Sequence, residues 1–158
     1  MSDVPTTFRE DQREGIANAL MGDGESLQSQ EREFYKKYPP STLRLVPLEE
    51  ETQYGMPIYL DQHGNRHSES TVTFPIVIGG REKWITVPSI WPGKDRPIAS
   101  KGLTGRYWDE EQLVPFVKEN ISGDQRSFIN PITQEPMPVF DTKEAAEKFA
   151  VKRDMSLQ

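Results

Sequence analysis

The chain contains no cysteine, which excludes disulfide cross-links and thiolate metal sites and fits a protein made in a reducing cytoplasm. Long apolar runs are missing as well. No stretch of the 158 residues approaches the roughly 20 apolar residues that cross a bilayer, and Met1 to Pro5 lacks the basic and apolar parts of a signal peptide. A soluble protein with no membrane span is therefore expected. Positive charge is scarce: 19 Lys and Arg stand against 25 Asp and Glu, a net charge of −6. Residues 1–55 hold 11 acidic and 6 basic side chains, and residues 56–158 hold 14 and 13. A sequence-independent nucleic-acid binder needs a basic face, so no specific nucleic acid is expected as a partner. Lys94, Arg96, Lys101 and Arg106 form the one local basic cluster, in a loop where charge is ordinarily just solvated. Hydrophobic residues make up only 34%, beside 13 prolines and 11 glycines, which suits one small core with irregular connections.

What is present begins with alternation. Val72, Phe74, Ile76 and Ile78 alternate with Thr71, Thr73, Pro75 and Val77, the period-two pattern of a strand with one buried face. A second strand is predicted from Trp84 to Trp91, with Gly79-Gly80-Arg81-Glu82 supplying a tight reversal between the two. Pro75 and Pro88 lack a backbone donor, so each must occupy an outward-facing edge position, a bulge or a strand end. An earlier strand, Ile58 to Leu60, leads into the turn Asp61 to Asn65, and a three-stranded antiparallel meander follows from the three segments together.

Two helices are predicted after the hairpin. Asp141 is the expected cap of the last one, with Glu144 reaching back, and Ala145, Ala146, Phe149 and Ala150 make an apolar stripe for one sheet face. In the other, Asp109 and Gln112 form a capping box, with Trp108 and Leu113 as a hydrophobic staple and Phe116 and Val117 continuing the face. Pro115 would cost such a helix about 3 kcal/mol, which argues for a start near Val114 instead. The fold class expected is α+β: a small antiparallel sheet with two covering helices over residues 56–158, preceded by a helical and extended arm over residues 1–55.

Within the arm, helices are predicted over Phe8 to Met21 and Ser26 to Tyr38. Their apolar faces are thin, so Phe8, Leu20, Phe34, Tyr35 and Tyr38 are candidate contacts to something else, either the rest of the chain or a partner protein. An extended connector, Pro39 to Pro47, and a solvated acidic turn at Glu49-Glu50-Glu51 are expected next.

Gly64-Asn65, the stretch Ser68 to Thr71, the strand Val72 to Ile78, Gly79-Gly80, the strand Trp84 to Ile90 with its Val87-Pro88-Ser89, and Phe140 to Ala150 together resemble a small domain of tailed-bacteriophage virion proteins. In that family the domain stands alone or is appended to tail components and to internal proteins with lytic transglycosylase domains. The resemblance covers roughly the last hundred residues, and no catalytic residue comes with it. The chain departs from the family in a long spacer, with Pro92 to Pro97 and Gln125 to Pro138 as insertions, and in its first 55 residues.

Direct reading for chemistry is sparse. Asp61, His63 and His67 match no standard metal spacing and fall at a turn, where exposed turn residues are the simpler account. His67 with Ser68 or Ser70 lacks a nucleophile elbow. Glu69, Glu82, Glu110 and Glu119 are general-acid candidates only in the sense that any chain rich in carboxylates offers some. No catalytic residue, metal or cofactor is therefore expected. Trp84, Trp91, Tyr107 and Trp108 are read mainly as core, with Trp84 and Trp91 as candidate protein contacts. Taken with the resemblance, the expectation is a non-enzymatic structural component of a virion. It would be made in the host cytoplasm and present in many copies in a symmetric assembly, and would bind tail, portal/adaptor or capsid proteins. An internal, ejected protein that assists envelope penetration and a small cell-wall hydrolase are the alternatives.

Overall fold

A computed structural model describes residue 33 and residues 36–157. Among them lie nine strands and two α-helices in the order β1 (Val46–Glu51), β2 (Pro57–Leu60), β3 (Arg66–His67), β4 (Thr71–Ile78), β5 (Arg81–Pro88), β6 (Ile90–Pro92), β7 (Gly105–Tyr107), α1 (Glu110–Glu119), β8 (Ser127–Ile129), β9 (Pro136–Phe140) and α2 (Lys143–Ser156). A short 3-10 turn, Pro40–Thr42, precedes β1. All pairings are antiparallel, and the fold is α+β with both helices laid on the largest sheet.

The β4–β5 hairpin is the frame. Gly79 and Gly80 both have positive φ, 60° and 77°, as a two-residue turn matched to strand twist requires. Phe74, Ile76, Ile78, Ile85 and Val87 point to one face and join Trp91, Trp108, Phe128 and Met137 in the main core, which α1 closes with Leu113, Phe116 and Val117. The Trp91 and Phe116 rings meet edge to face at 4.8 Å. On the opposite face, the Thr86 hydroxyl bonds Thr73 at 2.7 Å and donates to the Ala146 carbonyl of α2 at 2.9 Å. The expected stripe on α2 is there, with Ala146 fully buried and Ala145, Phe149 and Ala150 half-buried.

Several expectations need correction. The meander does not form: β2 pairs with β1 and β3, and the sheet containing the hairpin runs β4-β5-β9-β8. β9 was hidden by Pro136 and Pro138, and β1 by its run of glutamates, which lie in an exposed strand and not in a turn. α1 starts at Glu110 with Pro115 inside it. The complete Asp109–Gln112 capping box and three buried apolar side chains outweigh the missing donor, and Pro115 is on the exposed side, where water can serve the orphaned carbonyl. In α2 the cap is Thr142, whose hydroxyl accepts from the Ala145 N–H at 3.2 Å, while Asp141 pairs with Lys83.

The proline placements agree with the sequence. Pro88 ends β5, and Pro75 is in β4, the edge strand. The Ser89 N–H donates to the Ser70 carbonyl at 2.6 Å, so in this register the even-numbered residues of β4 exchange hydrogen bonds with β5 and the odd-numbered ones face the open edge. Pro75 is odd-numbered, and its missing donor costs the ladder nothing.

Candidate functional site

The turn after β2 is built on Asp61, whose Oδ1 accepts from the backbone N–H groups of His63 (2.8 Å) and Asn65 (3.0 Å). Its Oδ2 accepts from His67 Nε2 at 2.7 Å, and both side chains are fully enclosed. A carboxylate only accepts, so Nε2 carries a proton, and in the neutral ring Nδ1 receives the Tyr107 hydroxyl at 2.8 Å. Burial pushes the Asp61 carboxyl up, but the His67 hydrogen bond, the two backbone donors and the charge His67 carries when protonated outweigh it and hold it below the ordinary value. The Asp61–His67–Tyr107 chain thus joins the β2–β3 hairpin to β7 and fixes the Tyr107 hydroxyl in place. His67 and Tyr107 also stack edge to face, with ring centroids 5.9 Å apart.

Tyr107 stands in the wall of a cavity of about 630 Å³. Pro40, Leu43, Val72 and Trp108 give that wall its apolar part, and Ser70, Thr71, Ser89 and Gln112 contribute polar groups. Ser89 is 2% exposed, and its hydroxyl has no hydrogen-bond partner among the described residues. A buried hydroxyl left so is costly, which makes it the polar group here most in need of an incoming partner.

A second buried cluster lies away from the cavity. Arg153 of α2 donates through Nε and Nη2 to Glu69 (2.6 and 3.1 Å) and through Nη1 and Nη2 to Glu135 (2.8 Å each), with the Tyr54 ring 3.8 Å from its guanidinium carbon. Burial pushes the Glu69 carboxyl up against the pull of Arg153. The Arg153 guanidinium, despite its own burial, is held above its ordinary value by Glu135 and Glu69. Arg153 follows Ala146 by seven residues, so it continues the inward stripe of the helix and clamps α2 to the segment before β4 and the loop before β9.

No family model, curated protein or solved structure matches this chain. Among the described residues no group of three or more His, Cys, Asp or Glu side chains is placed to hold a metal ion. No helix among them is long and apolar enough to cross a membrane.

The residues singled out in the sequence are scattered. Asp61 and His67 are buried partners and not exposed turn residues, because β7 folds over them from forty residues away; only His63 is exposed, 4.0 Å from Tyr38 between ring centroids. Both His67 ring nitrogens are engaged by Asp61 and Tyr107. Glu69 is sealed in its ion pair, and Glu82, Glu110 and Glu119 are exposed at separate element ends. Trp91 is fully buried, with its indole N–H on the Pro88 carbonyl at 2.7 Å, so it is a core residue and the contact expected of it is withdrawn. Trp84 is half-buried beneath the Lys143 ammonium at 5.7 Å. Tyr38 is half-buried against the small core of Leu43, Leu45, Tyr59 and Ile90. Phe8, Leu20, Phe34 and Tyr35 lie outside the described residues, as do the two predicted arm helices except for Glu33 and Lys36 to Tyr38. The basic cluster is largely neutralised in place, since Arg96 pairs with Glu119 and Lys101 with Glu51. Ser89 and Arg153 were missed. A serine after a proline and an arginine in a helical stripe carry no local signal of burial.

Proposed function

We propose that the protein is a structural component of a tailed-phage virion, a tail, neck or capsid-associated subunit that works by protein–protein contact and not by catalysis. The observation that carries this reading is spatial. The separated segments that resemble the virion domain, Val72 to Ile78, Trp84 to Ile90 and Phe140 to Ala150, pack as one unit in which α2 lies on the β4–β5 hairpin and β9 lengthens the sheet. Segments 50 residues apart that share a motif order and also form one packed body are the expected outcome of a common domain. The long spacer and the arm then carry what is particular to this subunit. Contacts through the arm and the open edge of β4 would supply affinity by apolar burial and main-chain hydrogen bonds, and repetition on a symmetric surface would multiply a weak single contact.

The internal-protein and hydrolase readings draw less support. A wall-cleaving acid needs a carboxyl of raised pKa in a cleft, and Glu69, the carboxyl held above its ordinary value among the described residues, is enclosed by Arg153. Cross-linking of purified particles followed by peptide mass spectrometry tests the proposal. Links from Lys36 or Lys37 to a tail, portal/adaptor or capsid protein are the expected result; links confined to this chain would count against it.

A further inference from the structure

The cavity beside Ser89 and the open edge of β4 meet, and their meeting defines a ligand. Successive residues of a strand point to opposite faces, so a cavity on one face touches every second side chain. This one is lined by Ser70, Thr71 and Val72, so it opens at the start of β4 and reaches Thr71, the first residue whose main chain faces the edge. There the outward-facing main chain belongs to Thr71 and Thr73, and no strand among the described residues pairs with it. Pro75 offers a carbonyl but no donor, so a ladder along this edge stops at that position.

We propose that this edge and cavity are a binding site for a short extended peptide segment of a partner protein. The segment adds as a strand beside Thr71 to Thr73, and one side chain enters the cavity to bond the unpartnered Ser89 hydroxyl. Its chemistry follows from the site. Main-chain amide and carbonyl groups in alternation match Thr71 and Thr73. The anchoring side chain carries a hydroxyl or carboxamide, either of which can donate to or accept from the Ser89 hydroxyl, and its stem rests on Val72, Leu43 and Trp108. A volume of about 630 Å³ has room for several side chains of an extended segment and not for a folded domain. The ladder spans only two or three residues before Pro75, so selectivity rests on the anchor. The inference stands on the edge and the cavity alone and does not depend on the virion reading.

The test uses the full chain and blocked six-residue peptides alternating valine and threonine, with serine, asparagine, glutamine or valine at the third position. Backbone amide NMR spectra are recorded during titration up to roughly millimolar peptide, the weak end of specific binding. Binding is expected to shift the Thr71 and Thr73 amides, slow their hydrogen exchange and leave Val77 unchanged. Peptides with a serine, asparagine or glutamine anchor should bind several-fold tighter than the valine one. Thr71→Pro, which removes an outward donor as Pro75 already does, should abolish binding while the remaining spectrum reports a folded protein. Ser89→Ala, which removes a hydroxyl with no partner to lose, should erase the preference between anchors. Absence of edge shifts with every peptide overturns the proposal, as does binding that survives Thr71→Pro. Shifts at Ser89 and Tyr107 produced equally by a simple sugar such as methyl glucoside, without edge protection, would assign the cavity to a small ligand and overturn it too.

Discussion

At the residue scale, two buried polar clusters hold the sheets and helices in register, and each makes a distinct prediction. Arg153 is 3% exposed and Glu69 not at all at their side chains, so neither charge can turn to water if its partner is removed. Arg153→Ala is expected to lower unfolding free energy by about 3–5 kcal/mol in urea titrations, whereas replacing Arg153 by Met together with Glu69 by Gln should recover much of that loss. Asp61 predicts a pH effect. Its folded-state carboxyl lies below the ordinary value of 3.8, so the unfolded chain binds protons more readily in acid. The stability it supplies is complete above that ordinary value and is lost as pH falls through the folded one. The stability gap between the wild type and Asp61→Asn should therefore stay constant near neutral pH and narrow as pH falls below the ordinary value of 3.8, and a gap constant through that acid range would show that Asp61 contributes no ionised interaction. Neither cluster was legible in the sequence. Asp61 and His67 drew notice by their types, but their burial depends on Tyr107, delivered forty residues later. Glu69, Glu135 and Arg153 look like any solvated charges until the fold encloses them.

At the element scale, legibility followed how much of an element's stability is local. The β4–β5 hairpin and both helices announced themselves by alternation, a Gly-Gly turn and cap residues, all properties of neighbouring positions. β1, β8 and β9 did not, because short or proline-bearing strands owe their conformation to partners distant in sequence. Partner choice was likewise invisible: β2 turned to β1 and β3, while β5 took β9 from fifty residues downstream. The cap of α2 was misplaced by one residue because Asp141 and Thr142 are both good capping types, and only geometry separates them. Thr142→Ala should cost about 1 kcal/mol in thermal or urea unfolding, whereas Asp141→Ala, which removes only an exposed ion pair, should change stability by less than about half of that. Equal effects would contradict the cap assignment.

At the scale of the whole molecule, the described residues form a small α+β body in which no strand among them pairs with the outer edge of β4, and its buried polar side chains hold the elements together. Such a molecule suits a role in which the surface makes contacts and the interior keeps that surface rigid. For the virion role proposed above, the most direct measurement is quantitative mass spectrometry of phage particles purified from cells that make the chain, with each protein counted against the major capsid protein before and after DNA ejection. Presence at the same fixed ratio in both samples is the expected result for a structural subunit. Absence from the particles would contradict that role, and loss on ejection would replace it with that of an internal protein delivered with the DNA.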